Sequence, residues 1–293
     1  MAVGDKKPVV MEADRAVPGG IATLGTDGKL SSEQIPDMEA LGAIEYINSL
    51  PFTRKNLLDN WYFADPINQR GSSEYIQTGY AIDRWTVGTT AGTDIGPVRI
   101  NDGYLSIDAT GGNARLNQVL EKYHSGKKVC LSVLTTRGLY SANLTIGSTA
   151  AGTDMTIAKA YSVLYDGFPY VVLEFKSGDT YDLIAAKLEL GSTQTLAHQD
   201  ENGNWVLNEI PDYGEQLAKC QRYQNVMTVR IKAGGVEEWA PYPVSMRATP
   251  NTIVLESEGG FTSVSTANQY GLNLTNSDTA FSRTITVLSD ANL

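Results

Sequence analysis

The 293-residue chain contains few residues of the kinds that cross-link, ligate metals or catalyse. Its two cysteines, Cys130 and Cys220, lie far apart and belong to no CxxC pair, which excludes the pattern of a disulfide framework or a structural zinc site. We expect both cysteines to be small buried hydrophobic residues. The two histidines, His124 and His198, lie in polar, turn-like stretches, where solvated surface histidines are more common than catalytic ones.

Basic residues and long apolar runs are also scarce. There are 23 Lys and Arg against 33 Asp and Glu, a formal net charge of −10. A negative surface repels a phosphate backbone, so the composition disfavours a nucleic-acid partner. No run of about 18 apolar residues occurs, and residues 1–20 lack the apolar stretch of a secretory signal. These absences predict a protein made in the cytosol that neither leaves by this route nor inserts into a membrane.

The motifs of common enzyme classes are missing as well. The sequence contains no GxSxG elbow, no HExxH, no GxxxxGK[ST] loop and no GxGxxG opening a βαβ unit. Asp179 and Asp182 could form a glycosidase pair only if they faced one cleft, and their stretch SGDTYD is more typical of a turn. We therefore expect no enzyme activity, no catalytic residue and no cofactor.

One stretch imitates a metal site without completing it. In DENGN, Asp200, Asn202 and Asn204 have the spacing of the first three ligands of a calcium loop. The sixth position is Trp205 instead of Gly, and the twelfth is Pro211 instead of Glu. A hairpin turn is the better interpretation, and no metal ligand is predicted.

Period-two alternation with Gly, Asn and Asp turns is what the sequence has in abundance. Strands are predicted near 74–88, 98–108, 114–120, 127–136, 139–146, 155–165, 168–176 and 182–190. About eight short strands separated by turn pairs such as Asp102-Gly103 are typical of a jelly-roll-like β-sandwich. The predicted fold class is therefore mainly β.

The rest of the chain divides into shorter segments. The predicted order is a docking segment at 1–20, a trimeric linker with a short helix at 21–55, the sandwich at 56–196, a connector with a short helix at 197–225, and a C-terminal β region at 226–293. Asp212 followed by Glu215 indicates the start of the connector helix, with Leu217 and Cys220 as its apolar face. The apolar residues of 21–50 have too few partners in one copy, so oligomerisation is expected.

Three stretches together resemble the fibre proteins of tailed bacteriophages and prophages. AVPGGIATLGTDGKLSSEQIP is similar to a linker near the N-termini of phage fibres, although Gly25 and Ser31 replace the usual Asp and Pro. NLLDNWYFADPINQRG with YAIDRW resembles the opening of a β-sandwich in prophage tail-fibre-like proteins. AKLELGSTQT, LAKCQRYQ and PVSMRATPNTIVL resemble the passage from that sandwich into a small C-terminal β region. The resemblance covers about residues 16–255.

The resemblance implies a homotrimeric structural fibre of a virion, assembled in the cytoplasm of the bacterial host. It also implies docking to phage tail or capsid proteins at one end, which we assign to residues 1–20, and recognition of a bacterial surface glycan at the other. A tail fibre or receptor-binding protein is the first expectation. A head fibre mounted on the capsid, which adheres to host or mucus glycans, is one alternative, and a polysaccharide hydrolase or esterase is another.

Exposed aromatic rings are the expected sugar contacts, although rings more often fill cores and subunit interfaces. In a parallel trimer the C-terminal region lies farthest from the docking end. There Trp239, Tyr242 and Tyr270 are the candidate glycan contacts. Trp239 carries most weight because it stands beside Glu237 and Glu238 in a stretch whose Gly and Pro residues predict a surface loop.

Overall fold

The computed structural model describes residues 54–76, 78–89, 96–121, 124–148, 152–235, 237–258 and 262–291. All of these residues belong to one compact unit. The predicted docking segment at 1–20 lies outside them, as does the predicted linker with its short helix up to residue 53.

Short strands dominate the first part of the described chain. Strands β1 to β12 are Glu74–Tyr75, Gly79–Tyr80, Thr86–Thr89, Val98–Asn101, Tyr104–Asp108, Ala114–Val119, Lys128–Thr135, Gly138–Thr145, Thr153–Asp154, Ala158–Tyr165, Phe168–Phe175 and Thr180–Leu190. They pair antiparallel into two six-stranded sheets, with the orders β1-β4-β5-β12-β7-β8 and β2-β3-β6-β11-β10-β9. The prediction of a mainly β fold with a β-sandwich is confirmed.

Two of the predicted strands are divided into shorter strands because the backbone turns inside them. The strand expected at 98–108 is a hairpin of β4 and β5, since Gly103 adopts a φ of +85° that an extended strand cannot contain. The strand expected at 74–88 is broken into β1, β2 and β3. Within it Gly79 has a φ of +134° and Arg84 a φ of +70°.

The core of the sandwich follows the alternation that predicted the strands. In β5 and β6 every second residue is buried, among them Leu105, Ile107 and Leu116. Strand β12 lies in the interior of its sheet, residues 57–64 bond to its backbone, and the strand is buried on both faces over much of its length because Thr195 and Glu209 contact its outer face. The outer face of β12 therefore buries charged residues.

Each of those charges has a partner, as buried charges require. Lys187 is fully buried, and its Nζ lies 3.1 Å from Glu209 Oε1. Glu189, also fully buried, accepts a hydrogen bond from the Thr195 hydroxyl at 2.6 Å. Thr195 and Glu209, which follow the sandwich in the chain, are thus bound to its last strand, β12.

The connector contains a hairpin and a helix. The hairpin strands β13 and β14 are Ala197–Gln199 and Trp205–Leu207, and the helix α1 is Tyr213–Gln221. Asp212 caps α1 by accepting from the backbone N–H of Glu215 at 2.8 Å, which confirms the predicted start. The predicted apolar face is only half correct, because Gln216 and Cys220 are buried and Leu217 is partly exposed. Among the described residues no helix is both long and apolar enough to cross a membrane.

The C-terminal region forms a second, smaller core. Strands β15 to β20 are Gln224–Ile231, Glu237–Pro241, Asn251–Ser257, Thr262–Asn268, Gly271–Asn276 and Arg283–Asp290. They form two three-stranded antiparallel sheets, β15-β20-β17 and β16-β19-β18. Between them is a cluster of buried residues that includes Ile231, Leu272, Leu274, Ile285 and Val287. This region thus has a core of its own.

A buried polar cluster ties the sandwich to the C-terminal region. The amide of Gln69 donates to Asp83 Oδ2 at 2.6 Å and to the backbone oxygen of Gln224 at 2.8 Å. Asp83 is fully buried, and its nearest cation is Arg70 at 4.0 Å. Burial raises the pKa of Asp83 to about 6, although the hydrogen bonds from Gln69 oppose that shift. The junction therefore contains a carboxyl group that titrates near neutral pH.

Candidate functional site

Trp239 lies in a strand, not in the predicted surface loop. Its stretch is strand β16, which pairs with β19 from Glu237 opposite Thr275 to Pro241 opposite Gly271. The composition predicted a loop because the stretch is short and ends in proline. Edge strands tolerate proline, and β16 is an edge strand. The expected exposure of the indole is confirmed, since Trp239 is 47% exposed.

The alternation of β16 decides which residues share a face with the indole. Glu237, two positions away, points to the same side, and Asn273 of β19 lies directly opposite Trp239. Glu238 points to the other side, where its carboxylate accepts from the backbone N–H of Lys232 at 3.2 Å. The expectation that two carboxylates flank the indole is therefore wrong, and only Glu237 shares its face.

Gly271 makes room for the indole on the neighbouring strand. A Cβ atom at this glycine would lie 2.6 Å from Cζ2 of Trp239 and 2.5 Å from the backbone oxygen of Ala240. The indole therefore lies across the backbone of β19 at a position where only glycine fits. This support holds one edge of the ring in place while much of its surface remains open to solvent.

Polar groups surround the indole on the same sheet. Asn273 donates from Nδ2 to Oγ1 of Thr266 at 3.0 Å, and its Oδ1 accepts no hydrogen bond within the described part of the chain. Thr266 pairs with Asn273 from the far strand β18 and is exposed. Amide and hydroxyl groups beside an aromatic ring can hydrogen-bond sugar hydroxyls while the ring covers the C–H face of the sugar.

The two tyrosines of the candidate set have different environments. Tyr270 is 57% exposed in the turn between β18 and β19, immediately before Gly271. Tyr242 is only 7% exposed, and its hydroxyl donates to Ser289 Oγ at 2.8 Å inside the C-terminal core. Tyr242 is therefore too buried to contact a glycan, because its side chain is part of the C-terminal core.

Several other aromatic residues fill the sandwich core, whereas Trp205, Tyr213 and Phe281 are exposed. Trp61, Phe63 and Trp85 are buried, and Phe63 and Trp85 meet edge to face with ring centroids 5.3 Å apart. Trp205, at the start of β14, is 37% exposed. Sequence reasoning did not select Trp205 as a binding residue; the turn signal of DENGN immediately before it could have pointed to a surface position.

The stretches that imitate other sites have structural roles. Asp200 Oδ1 accepts from the backbone N–H groups of Asn202 at 2.9 Å and Asn204 at 2.8 Å, so DENGN is the predicted hairpin turn. Within the ranges that the structure describes, no group of three or more His, Cys, Asp and Glu could hold a metal ion. The two cysteines are buried and free, as expected.

Asp179 and Asp182 do not form an acid and base pair. Arg137 binds the carboxylate of Asp179 through both guanidinium nitrogens, and with the N–H of Thr180 it lowers the pKa of Asp179 to about 2. A carboxyl group with so low a pKa stays ionised and cannot donate a proton near neutral pH. Asp182 accepts a hydrogen bond from Ser106 Oγ at 2.7 Å.

The comparisons with known proteins add little to this geometry. No protein-family model matches the chain. No curated protein matches it either. One solved structure that resembles it is vicilin from hazelnut, Corylus avellana, which is 8% identical over 71% of this chain and 84% of that chain, with a TM-score of 0.13. A likeness this weak carries no argument about fold or function.

Proposed function

We propose that the chain is a trimeric structural fibre of a tailed-phage virion, a tail fibre or receptor-binding protein that attaches to a bacterial surface glycan without cleaving it. The three stretches that resemble phage fibres support the virion assignment. In this proposal residues 1–20 dock to the tail, the jelly-roll-like sandwich forms the shaft, and the C-terminal region meets the host. Docking to the capsid as a head fibre is the alternative within the same class.

The observation that carries the glycan assignment is the open indole of Trp239. The ring presents an apolar surface on a polar, solvent-facing sheet, and stacking against a sugar would bury that surface. One shallow site of this kind provides only about 4 kcal/mol, which is a millimolar affinity. Three linked copies can strengthen attachment by roughly 10² to 10⁴, so weak sites suffice on a trimer.

We expect the W239A variant to bind host cells at least tenfold more weakly than the wild-type protein, since truncating a central aromatic contact typically costs about 2 kcal/mol or more. Adsorption of the purified, labelled protein to host cells is the measurement, and W205A is the control because Trp205 is also a partly exposed indole. Adsorption equal to wild type, with the oligomer intact, would reject the site. Loss of the oligomer would show instead that Trp239 is a subunit contact.

The edge of the C-terminal region supports the trimer. Strand β17 is an edge strand, and its consecutive residues Ile253, Val254 and Leu255 are all exposed. An unpaired edge with apolar side chains is a liability that a neighbouring subunit would remove. We expect sedimentation equilibrium to give a mass of about three times 31.7 kDa. A clean monomer at micromolar concentration would contradict the proposed architecture.

The competing proposal of a hydrolase has no support in the described geometry, because Arg137 binds the carboxylate of Asp179 and keeps it ionised. Incubating the protein with host polysaccharide and assaying reducing sugars distinguishes the two. A steady release of reducing ends would show that the protein cleaves the polysaccharide, and it would contradict the proposal of a fibre that only binds.

A further inference from the structure

A cavity of about 260 Å³ lies where three segments of the chain meet. Residues 55–57 and Asp59 form one wall, residues at and after the end of β6 form another, and the last turn of α1 with the residues that follow it forms the third. Drug-sized ligands occupy pockets of roughly 300 to 1,000 Å³, so this cavity suits one monosaccharide and not an oligosaccharide.

Side-chain contacts hold the residues at the floor of the cavity in place. The guanidinium of Arg84 donates from Nε to Asp59 Oδ2 at 3.2 Å and from Nη2 to the backbone oxygen of Val119 at 2.7 Å. Its Cζ lies 3.4 Å from the centroid of the Tyr223 ring, a cation–π contact. The Tyr223 hydroxyl donates to Glu121 Oε1 at 2.7 Å. Asp59 and Glu121, the two carboxylates that line the cavity, are therefore both engaged.

The remaining charges on the wall are positive. Lys55, Lys219 and Arg222 line the cavity together with Arg84. Lys219 lies 2.7 Å from Glu215, whereas Lys55 and Arg222 form no ion pair with any residue that the structure describes. In a chain with a net charge of −10, a concave surface with an excess of cations runs against the overall balance.

We infer that this cavity binds a carboxylated monosaccharide, such as a hexuronic acid of an acidic surface polysaccharide. Arg222 would engage the carboxylate, for which the guanidinium fork is suited, and Lys55 would add a second positive charge. Leu57 and Leu120 line the same cavity and would cover the C–H face of the ring. The choice of a sugar rests on the proposed function, whereas the preference for an anion rests on the cavity alone.

Calorimetric titration of the full chain with D-glucuronate, D-glucose and inorganic phosphate tests the inference. We expect glucuronate to bind with millimolar affinity and glucose and phosphate to bind at least tenfold more weakly, because a hydrogen bond to a charged group adds about a factor of ten and the apolar wall favours the sugar. R222Q and K55Q should each weaken glucuronate binding by about tenfold. The matched controls R230Q and K128Q replace exposed basic residues that do not line the cavity and should bind as wild type.

Several results would overturn the inference. Glucose binding as tightly as glucuronate would remove the anion preference, and phosphate binding as tightly would remove the sugar. Glucuronate binding that R222Q and K55Q leave unchanged, or no detectable binding, would rule out this cavity. A failure of the fibre proposal would give a different result: the wild-type protein would bind glucuronate but would not attach to host cells. W239A should leave glucuronate binding unchanged, because Trp239 does not line the cavity.

Discussion

Replacing Trp85 with alanine is expected to lower the free energy of unfolding by about 3 to 5 kcal/mol, the usual cost of truncating a buried tryptophan. The Trp85 side chain is fully buried in the sandwich and packs edge to face on Phe63. Its indole N–H donates to the backbone oxygen of Asn60 at 2.8 Å. The substitution would leave a cavity and would also strand that carbonyl group without its partner.

Chemical denaturation followed by circular dichroism measures this effect. W205A is the matched control, because Trp205 is partly exposed and its truncation should cost about 1 kcal/mol or less. Equal destabilisation by the two substitutions would contradict the arrangement of the core. Equal destabilisation would also argue against the hydrogen bond between Trp85 and Asn60, which joins the stretches DNWYF and YAIDRW.

The second large effect concerns pH and Asp83. Burial raises the pKa of this carboxyl group from 3.8 to about 6, so folding favours its protonated form. Its contribution to stability is therefore fully present below about pH 4 and is lost as the pH rises through 6. The loss is on the order of 3 kcal/mol, since one pKa unit corresponds to about 1.4 kcal/mol.

The D83N variant should remove this dependence. We expect the wild-type protein to lose more unfolding free energy between pH 4 and pH 7 than D83N does, because asparagine does not ionise. D179N is the control: the pKa of Asp179 is about 2, so its titration is complete below this window and the slope should match wild type. A slope in D83N equal to that of wild type would show that Asp83 does not titrate at the junction.

The sequence predicted the elements that depend on local signals. The cap of α1 needs only Asp212 and the N–H of Glu215, three residues apart, and the hairpin at DENGN needs only the Asp200 side chain and the N–H groups that follow it. Strand β16 was missed because its pairing with β19 joins residues that are 30 or more positions apart. The break at Arg84 was missed because a positive φ in a residue with a side chain has no strong sequence signal.

The candidate site was predicted in part for the same reason. Trp239 and Tyr270 are exposed as expected, whereas Tyr242 is buried because it fills the core formed by both C-terminal sheets. Strand alternation would have separated Trp239 from Tyr242, three positions later, but only once EEWAP was recognised as a strand. The cavity could not be predicted, because Lys55 and Arg222 meet only through the folded chain.

Electron microscopy of intact particles tests the central proposal, that the chain is a virion fibre, most directly. Particles would be purified from the bacterium that produces the protein and labelled with antibody against residues 226–293. We expect the label at the distal ends of tail fibres, and label around the capsid would place the chain as a head fibre. Particles without label, from a lysate that contains the protein, would contradict the fibre function.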